Sequence, residues 1–460
     1  MRAPRGHLVL PLHAHLPFVR HPEHEDFLEE RWLFEAITES YIPLLDALER
    51  LAADGVPHRL TLTVTAPLAN MLADPLLQSR YVRHLDHLVA FAEREVERTR
   101  GDEAFQRLAL YYRDLFRRTR RTFCDHHGGN LLPALRGLAD AGHVDIVASA
   151  ATHGFLPLLA ADETAARAQI RIGIDEHRRV FGRAPTGFWL PECGFFPGVD
   201  AMLAEHGIRY VFVETHGVLF ARPRPVFAHY APLVTPSGVA VFGRDPGASR
   251  QVWSAAQGYP GDFDYRDFYR DVGFDLPLAA VRDLLPPGGE RLAVGVKYYR
   301  ITGSTPHKEP YDPDRARAKV EAHASNFVAN RVDDVEHLAR TLGVAPTITT
   351  PFDAELFGHW WFEGPQWLEL VIRKLAYDQD AVVLATPDDV MAEQPVAQQA
   401  TPATSTWGQR GYNEVWLSGE NDWIYRHLHA AAERMTGLAR TFRDARGLQL
   451  RALNQAAREL

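Results

Sequence analysis

The sequence predicts an α/β barrel, and three observations carry that expectation. Seven short apolar runs of β character recur along the chain, segments of helical period lie between several of them, and nearly every run ends in a chemically useful residue type. Strands that alternate with helices imply parallel sheet. A closed α/β barrel gathers its catalytic groups at the carboxyl ends of its strands.

Taken in order, residues 7–12 lead into His13-Ala14-His15, and residues 59–64 into Thr65-Ala66-Pro67. Residues 144–149 lead toward Thr152-His153-Gly154, 188–190 into Pro191-Glu192-Cys193, and 210–213 into Glu214-Thr215-His216. Residues 292–296 precede Lys297-Tyr298-Tyr299, and residues 347–350 precede Pro351-Phe352-Asp353. Helical period marks residues 33–51, 167–181 and 315–342. Residues 75–128 are charged and helical with no strand candidate, so a helical insertion over about 75–130 is expected between the second and third strands. The chain beyond about 378 also reads as helical, with a Gln/Ala/Pro/Thr-rich connection over 396–406 expected to be a loop. Residues 448–460 carry a helix pattern with no stop signal, so the chain is expected to break off within an element. No internal repeat is visible.

Composition narrows the function. With 50 Lys+Arg against 59 Asp+Glu in 460 residues, the net charge is −9, which gives no electrostatic reason to bind nucleic acid. The length suggests two or three structural units. Two cysteines, Cys124 and Cys193, exclude a disulfide scaffold and a four-cysteine metal site, and both are expected to be small buried hydrophobes. The apolar stretch before His13 is too short for a signal h-region, and no run reaches the ~18 residues of a membrane span. A soluble cytoplasmic protein is expected. Nine Trp, 15 Tyr, 24 Phe and 22 His include clusters such as Phe357-Gly358-His359-Trp360-Trp361-Phe362. Flat rings stack on sugar faces, so these clusters are a weak pointer to carbohydrate, and burial in a core is the plainer explanation of any single tryptophan.

Two carboxylates stand out. Glu192 and Asp353 each follow an apolar strand end and are flanked by aromatics, surroundings that desolvate an acid and raise its pKa. A pair of this kind is what glycoside cleavage requires. Each acid alone is equally explained as a helix cap or an arginine partner. His13 and His15 share one face of a strand and invite a metal reading, with His153, Asp353 or Glu192 as third ligand; a zinc deacetylase on a related barrel is the competitor. The alternative, histidines that hydrogen-bond substrate or neighbours, is the plainer one.

At these motifs the sequence resembles glycoside hydrolase family 57, and within it the 1,4-α-glucan branching enzymes. The stretches that carry the resemblance are His13-Ala-His-Leu-Pro-Phe18, Ala151-Thr-His-Gly-Phe-Leu-Pro157, Trp189-Leu-Pro-Glu-Cys193, Pro351-Phe-Asp-Ala-Glu-Leu-Phe-Gly-His-Trp-Trp361 and the segment from Trp407-Gly408 to Trp416. The resemblance implies an incomplete (β/α)7 barrel over residues 1–365 with its helical insertion, followed by a helical C-terminal domain over 366–460. It implies Glu192 as nucleophile and Asp353 as general acid/base. His13, His15 and His153 would line the donor sugar site, Arg244 and Gly261 would bind substrate, and Trp253, Trp360, Trp407 and Trp416 would be aromatics of the glucan cleft. The implied partner is an α-glucan, with no cofactor, metal, nucleic acid or membrane.

The branching members carry a mobile loop with a tyrosine at its tip. The corresponding residues 220–233 are short, with Phe227 at the tyrosine's place and Tyr230 as the loop's tyrosine. Three readings follow: a retaining branching transferase, an amylase-like hydrolase of the same family, and a glucan-binding protein with little turnover. A retaining pair is expected to hold its carboxyls about 5–6 Å apart, whereas about 7–9 Å would imply inversion.

Overall fold

The computed structural model describes residues 5–254, 256–286, 288–393 and 398–460 of the chain. Two compact units interleave along the sequence: Met1–Ile146 with Asp245–Val390, and Val147–Arg244 with Met391–Leu460. The α/β class read from the sequence is the class observed.

In the first unit, the apolar run over 7–12 forms two buried strands, Gly6–Val9 and Pro11–Ala14. They have different neighbours. Gly6–Val9 lies parallel between Thr347–Thr349 and Val382–Leu384, and Pro11–Ala14 lies parallel between Leu60–Val64 and Phe352–Asp353. The exchange of partners falls at Leu10, just before a proline that has no N–H to continue the first ladder. Register then sets Asp353 beside His13, and His13 beside Thr63.

The helical reading of 33–51 resolves into Glu30–Ala36, a π-turn at Ile37–Tyr41 and Ile42–Ala53. π-turns recur at functional positions because they re-aim side chains within a helix; this one buries Glu39, Ser40 and Tyr41. The insertion is helical as expected. Asp74 caps Pro75–Arg98 through the Leu76 and Leu77 N–H groups, and Asp102 caps Glu103–Arg121 through that of Phe105. The two helices pack against each other, and Tyr81, Leu85, Tyr112 and Phe116 on them are all buried. Pro313–Leu342 starts at an Asp312 cap and stops at Gly343 in the left-handed conformation (φ 69°).

Two expectations fail in this unit. Residues 292–296 form no strand, because the N–H groups of Val294 and Gly295 bond the Asp271 carboxylate (2.9 and 3.0 Å) instead of a neighbouring strand. Lys297 N–H likewise goes to the Tyr112 hydroxyl (3.1 Å). The region after 378 is also not wholly helical, since Val382–Leu384 is a strand paired with Gly6–Val9.

In the second unit, Gly187–Trp189 pairs parallel with Tyr210–Val213, which pairs parallel with Ala240–Gly243. The short Leu233–Val234 runs antiparallel to Ala240–Gly243 and parallel to Gln398–Gln399. The boundary between the units falls within strand Val144–Ser149, whose last two residues pair with Phe188 and Trp189. Ile170 and Ile174 of helix Glu163–Phe181 join Phe188, Leu190, Val211 and Val241 in a fully buried cluster. The strand Ala240–Gly243 went unread in the sequence. The connection expected as a loop over 396–406 is instead held in place: beyond Gln398–Gln399, Thr401 bridges Arg222 and Ser405 bridges Phe195; residues 396 and 397 lie outside the described residues. The helices Trp423–Thr441 and Gly447–Glu459 follow. Cys193 is buried, whereas Cys124 is only half-buried because its helical turn lies near the surface. Among the described residues no helix is long and apolar enough to cross a membrane.

Candidate active site

In the second unit, the buried strand Gly187–Trp189 ends at Leu190, and a short turn, Pro191–Cys193, presents Glu192. Glu192 (φ 59°) and Cys193 (φ 51°) both sit in the left-handed region, as does His153 (φ 57°). That conformation costs a non-glycine residue about 1–2 kcal/mol and persists only where neighbours impose it. Here Trp407 imposes it twice: its backbone N–H donates to the Glu192 carbonyl (3.0 Å), and its indole Nε1–H donates to Glu192 Oε2 (2.9 Å). His153 Nδ1 lies 3.9 Å from the other carboxylate oxygen. Burial pushes the Glu192 carboxyl up, and the indole hydrogen bond acts against that rise.

Trp407 is in turn flanked. Trp189 meets it edge-on at 5.2 Å, and the Arg244 guanidinium lies 5.8 Å from its ring centre. Arg244 pairs with Glu214 (3.2 Å), a residue that also caps the helix Thr215–Leu219. Trp416 stacks on Phe155 at 4.1 Å, which fixes the ring. The second unit thus gathers Glu192, His153, Arg244 and Trp407 into one cluster. Tyr230 is half-buried against His229 (4.1 Å between rings), in a segment whose Val226 is exposed.

In the first unit, Asp353 ends the strand Phe352–Asp353 beside His13 and is half-buried. The His13 and His15 rings stack at 5.9 Å. His15 Nδ1 bonds Thr65 Oγ1 (2.9 Å), and burial lowers its pKa to about 4, so the ring is neutral. Glu355, two residues beyond Asp353, accepts from the Tyr41 hydroxyl (2.5 Å) and from His15 N–H (3.1 Å). Burial raises Glu355 to about 7. On Glu39, burial acts upward but Arg266, with help from His359, outweighs it and holds the pKa near 2. His359 Nδ1 lies 2.8 Å from Glu39, and Arg266 Nη2 lies 2.9 Å from it.

Trp360 is exposed (53%) and stacks on Phe268 at 4.3 Å, whereas the neighbouring Trp361 is buried. Trp253 ends the helix Pro246–Trp253 with its ring 46% exposed. Gly261, in the turn Tyr259–Gly261, lines an open pocket of about 610 Å³ together with Asp262, Arg300, Lys319 and His323. Sequence reasoning missed Glu39, Arg266, Tyr41 and Phe268, and met Glu214 only as a strand-end residue. The signal for Glu39 was an acid inside an apolar helical stretch, and for Phe268 there was none.

The sequence profile of glycosyl hydrolase family 57 matches residues 9–272, and that of the C-terminal part of 1,4-alpha-glucan branching enzymes matches residues 427–460. A 1,4-alpha-glucan branching enzyme of Thermococcus kodakarensis is 34% identical over 99% of this chain and 68% of its own length. Its kind is also seen in a solved structure, a branching enzyme of the same organism in complex with glucose, at 33% identity, TM-score 0.85, 99% of this chain and 83% of that one. The alpha-amylase AmyC of Thermotoga maritima is similar at 42% identity and TM-score 0.89, over 96% of this chain and 83% of that one. These likenesses extend along nearly the whole chain, and both solved structures share its α/β fold. The chain belongs to glycosyl hydrolase family 57.

Proposed function

We propose that the protein is a retaining 1,4-α-glucan branching enzyme. Its Glu192 attacks the anomeric carbon of an α-1,4-linked glucan while Asp353 gives its proton to the departing oxygen. The glucan chain is then held on Glu192 as an ester. Asp353, now a carboxylate, takes the proton of an incoming glucan 6-hydroxyl, whose oxygen displaces Glu192 and forms an α-1,6 branch. Two displacements at one carbon retain its configuration.

The observation that carries this reading is the fixation of Glu192 by Trp407. A nucleophile must be ionised yet poorly solvated, and the indole N–H gives it a donor that water would otherwise supply. His13, His15 and His153 would contact the donor sugar, with His15 neutral and therefore able both to donate and to accept. Arg244, Gly261 and Tyr230 would contact further glucan units, and Trp253, Trp360, Trp407 and Trp416 would offer ring faces to sugars. The branching reading rests on the match at residues 427–460 and on the whole-chain likeness to branching enzymes. The proposal places the reaction in glycogen synthesis in the cytoplasm, with an α-glucan as the partner.

A second reading, hydrolysis by the same carboxylates with water as acceptor, is raised by the 42% identity to an alpha-amylase. Amylose–iodine absorbance followed together with reducing ends separates them. A fall in absorbance with little gain in reducing ends is expected; a matched gain would favour hydrolysis.

A further inference from the structure

Helix Glu103–Arg121 ends in a second π-turn, Thr122–His126, closed by the His127 N–H to the Thr122 carbonyl (3.0 Å). On a regular helix two consecutive side chains point about 100° apart and cannot meet one ligand. Here the wider turn, followed by Gly128 and Gly129 at positive φ (59° and 82°), takes His127 out of the helix. The His126 and His127 rings come within 4.5 Å of each other. Both face Glu49, which stands on helix Ile42–Ala53, and His126 Nε2 lies 3.1 Å from Glu49 Oε2. One donor atom from each of the three residues lies within 4.8 Å of the other two.

We propose that Glu49, His126 and His127 bind a divalent transition cation of the Zn2+ class, which ties the end of the helical insertion to helix Ile42–Ala53. Two imidazoles and a carboxylate are a common donor set for zinc, with bonds of about 2.0–2.2 Å that set donors roughly 3.4 Å apart in a tetrahedron. The His126–Glu49 spacing is already close to this, and all three donor atoms lie within 4.8 Å of one another. His127 Nε2 is buried with no hydrogen-bond partner among the described residues, so that ring makes poor use of its polar atoms without a ligand. Asp46, one turn before Glu49, interacts electrostatically with both Glu49 and His126, and Arg50 and Arg118 lie near it. Solvent completes the coordination, because His126 lies at the surface.

The test uses the full chain, freed of metal by chelator and dialysed. Equilibrium dialysis against Zn2+ with elemental analysis is expected to give one Zn2+ per chain and a higher unfolding temperature. His126→Ala and Glu49→Gln are each expected to weaken binding at least tenfold while leaving action on amylose unchanged. Co2+ in place of Zn2+ is expected to give the visible bands of a low-coordinate site, lost in His127→Ala. No stoichiometric Zn2+ on the native chain, or Zn2+ that persists unchanged in the variants, would overturn the proposal.

Discussion

Trp407 grips Glu192 at both ends of the residue, through a backbone bond of 3.0 Å to its carbonyl and an indole bond of 2.9 Å to its carboxylate. The contact joins residues that are 215 positions apart in the chain. It holds a strained backbone and orients a carboxylate with one pair of donors.

Trp407→Phe removes the indole N–H and leaves the ring. Burial then raises the Glu192 pKa unopposed, so less carboxylate is present at a given acidic pH. The acid limb of kcat/KM is expected to move to higher pH, with kcat lowered at least tenfold. A limb that stays in place would show that the bond does not tune Glu192.

Glu192→Gln is expected to lower activity by about a thousandfold or more. Asp353→Asn separates the two steps. With an α-maltosyl fluoride donor, whose leaving group needs no proton, the first displacement proceeds and the second stalls for want of a base. Mass spectrometry is expected to find the maltosyl ester on the peptide that contains Glu192. A label on any other residue would contradict the assignment of nucleophile.

Gly358 sits at φ 111°, where an added Cβ would come within 1.7 Å of the Glu39 carbonyl oxygen. That carbonyl belongs to the buried π-turn, which has no room to yield. Gly358→Ala is expected to destabilise the protein by about 3 kcal/mol or more, read as a lower unfolding midpoint.

Glu355 has a pKa of about 7 in the folded protein against an ordinary 4.5. Between those values the folded protein keeps a proton that the unfolded chain has released, so stability falls as pH rises through the window and levels off above it. Glu35, raised to about 7 by burial and then by Glu39, adds to the same trend. Glu355→Gln is expected to shrink the loss of unfolding temperature between pH 5 and pH 8 without abolishing it. An unchanged slope would mean that Glu355 does not carry that proton.

Much of this was legible because burial on both faces leaves a plain mark. The runs at 144–149 and 210–213 are observed as the strands Val144–Ser149 and Tyr210–Val213, since parallel strands covered on both sides are nearly continuously apolar, with Asp145 the one half-buried exception. Residues 292–296 have the same mark but spend their N–H groups on Asp271, a distant acid that no local pattern announces. Val382–Leu384, three residues between two helices, is too short to show a period. The strand-end positions of Glu192 and Asp353 were readable from their flanking residues. The supports around them, Trp407 on Glu192 and Tyr41 on Glu355, depend on contacts far apart in the chain and appear only in three dimensions.

The central claim is transfer to a glucan 6-hydroxyl, and its most direct test is to incubate the purified protein with amylose and count α-1,6 linkages by proton NMR alongside new reducing ends. New α-1,6 linkages in large excess over reducing ends are the expected result. Reducing ends without branches would contradict the claim and leave Glu192 and Asp353 serving a hydrolase.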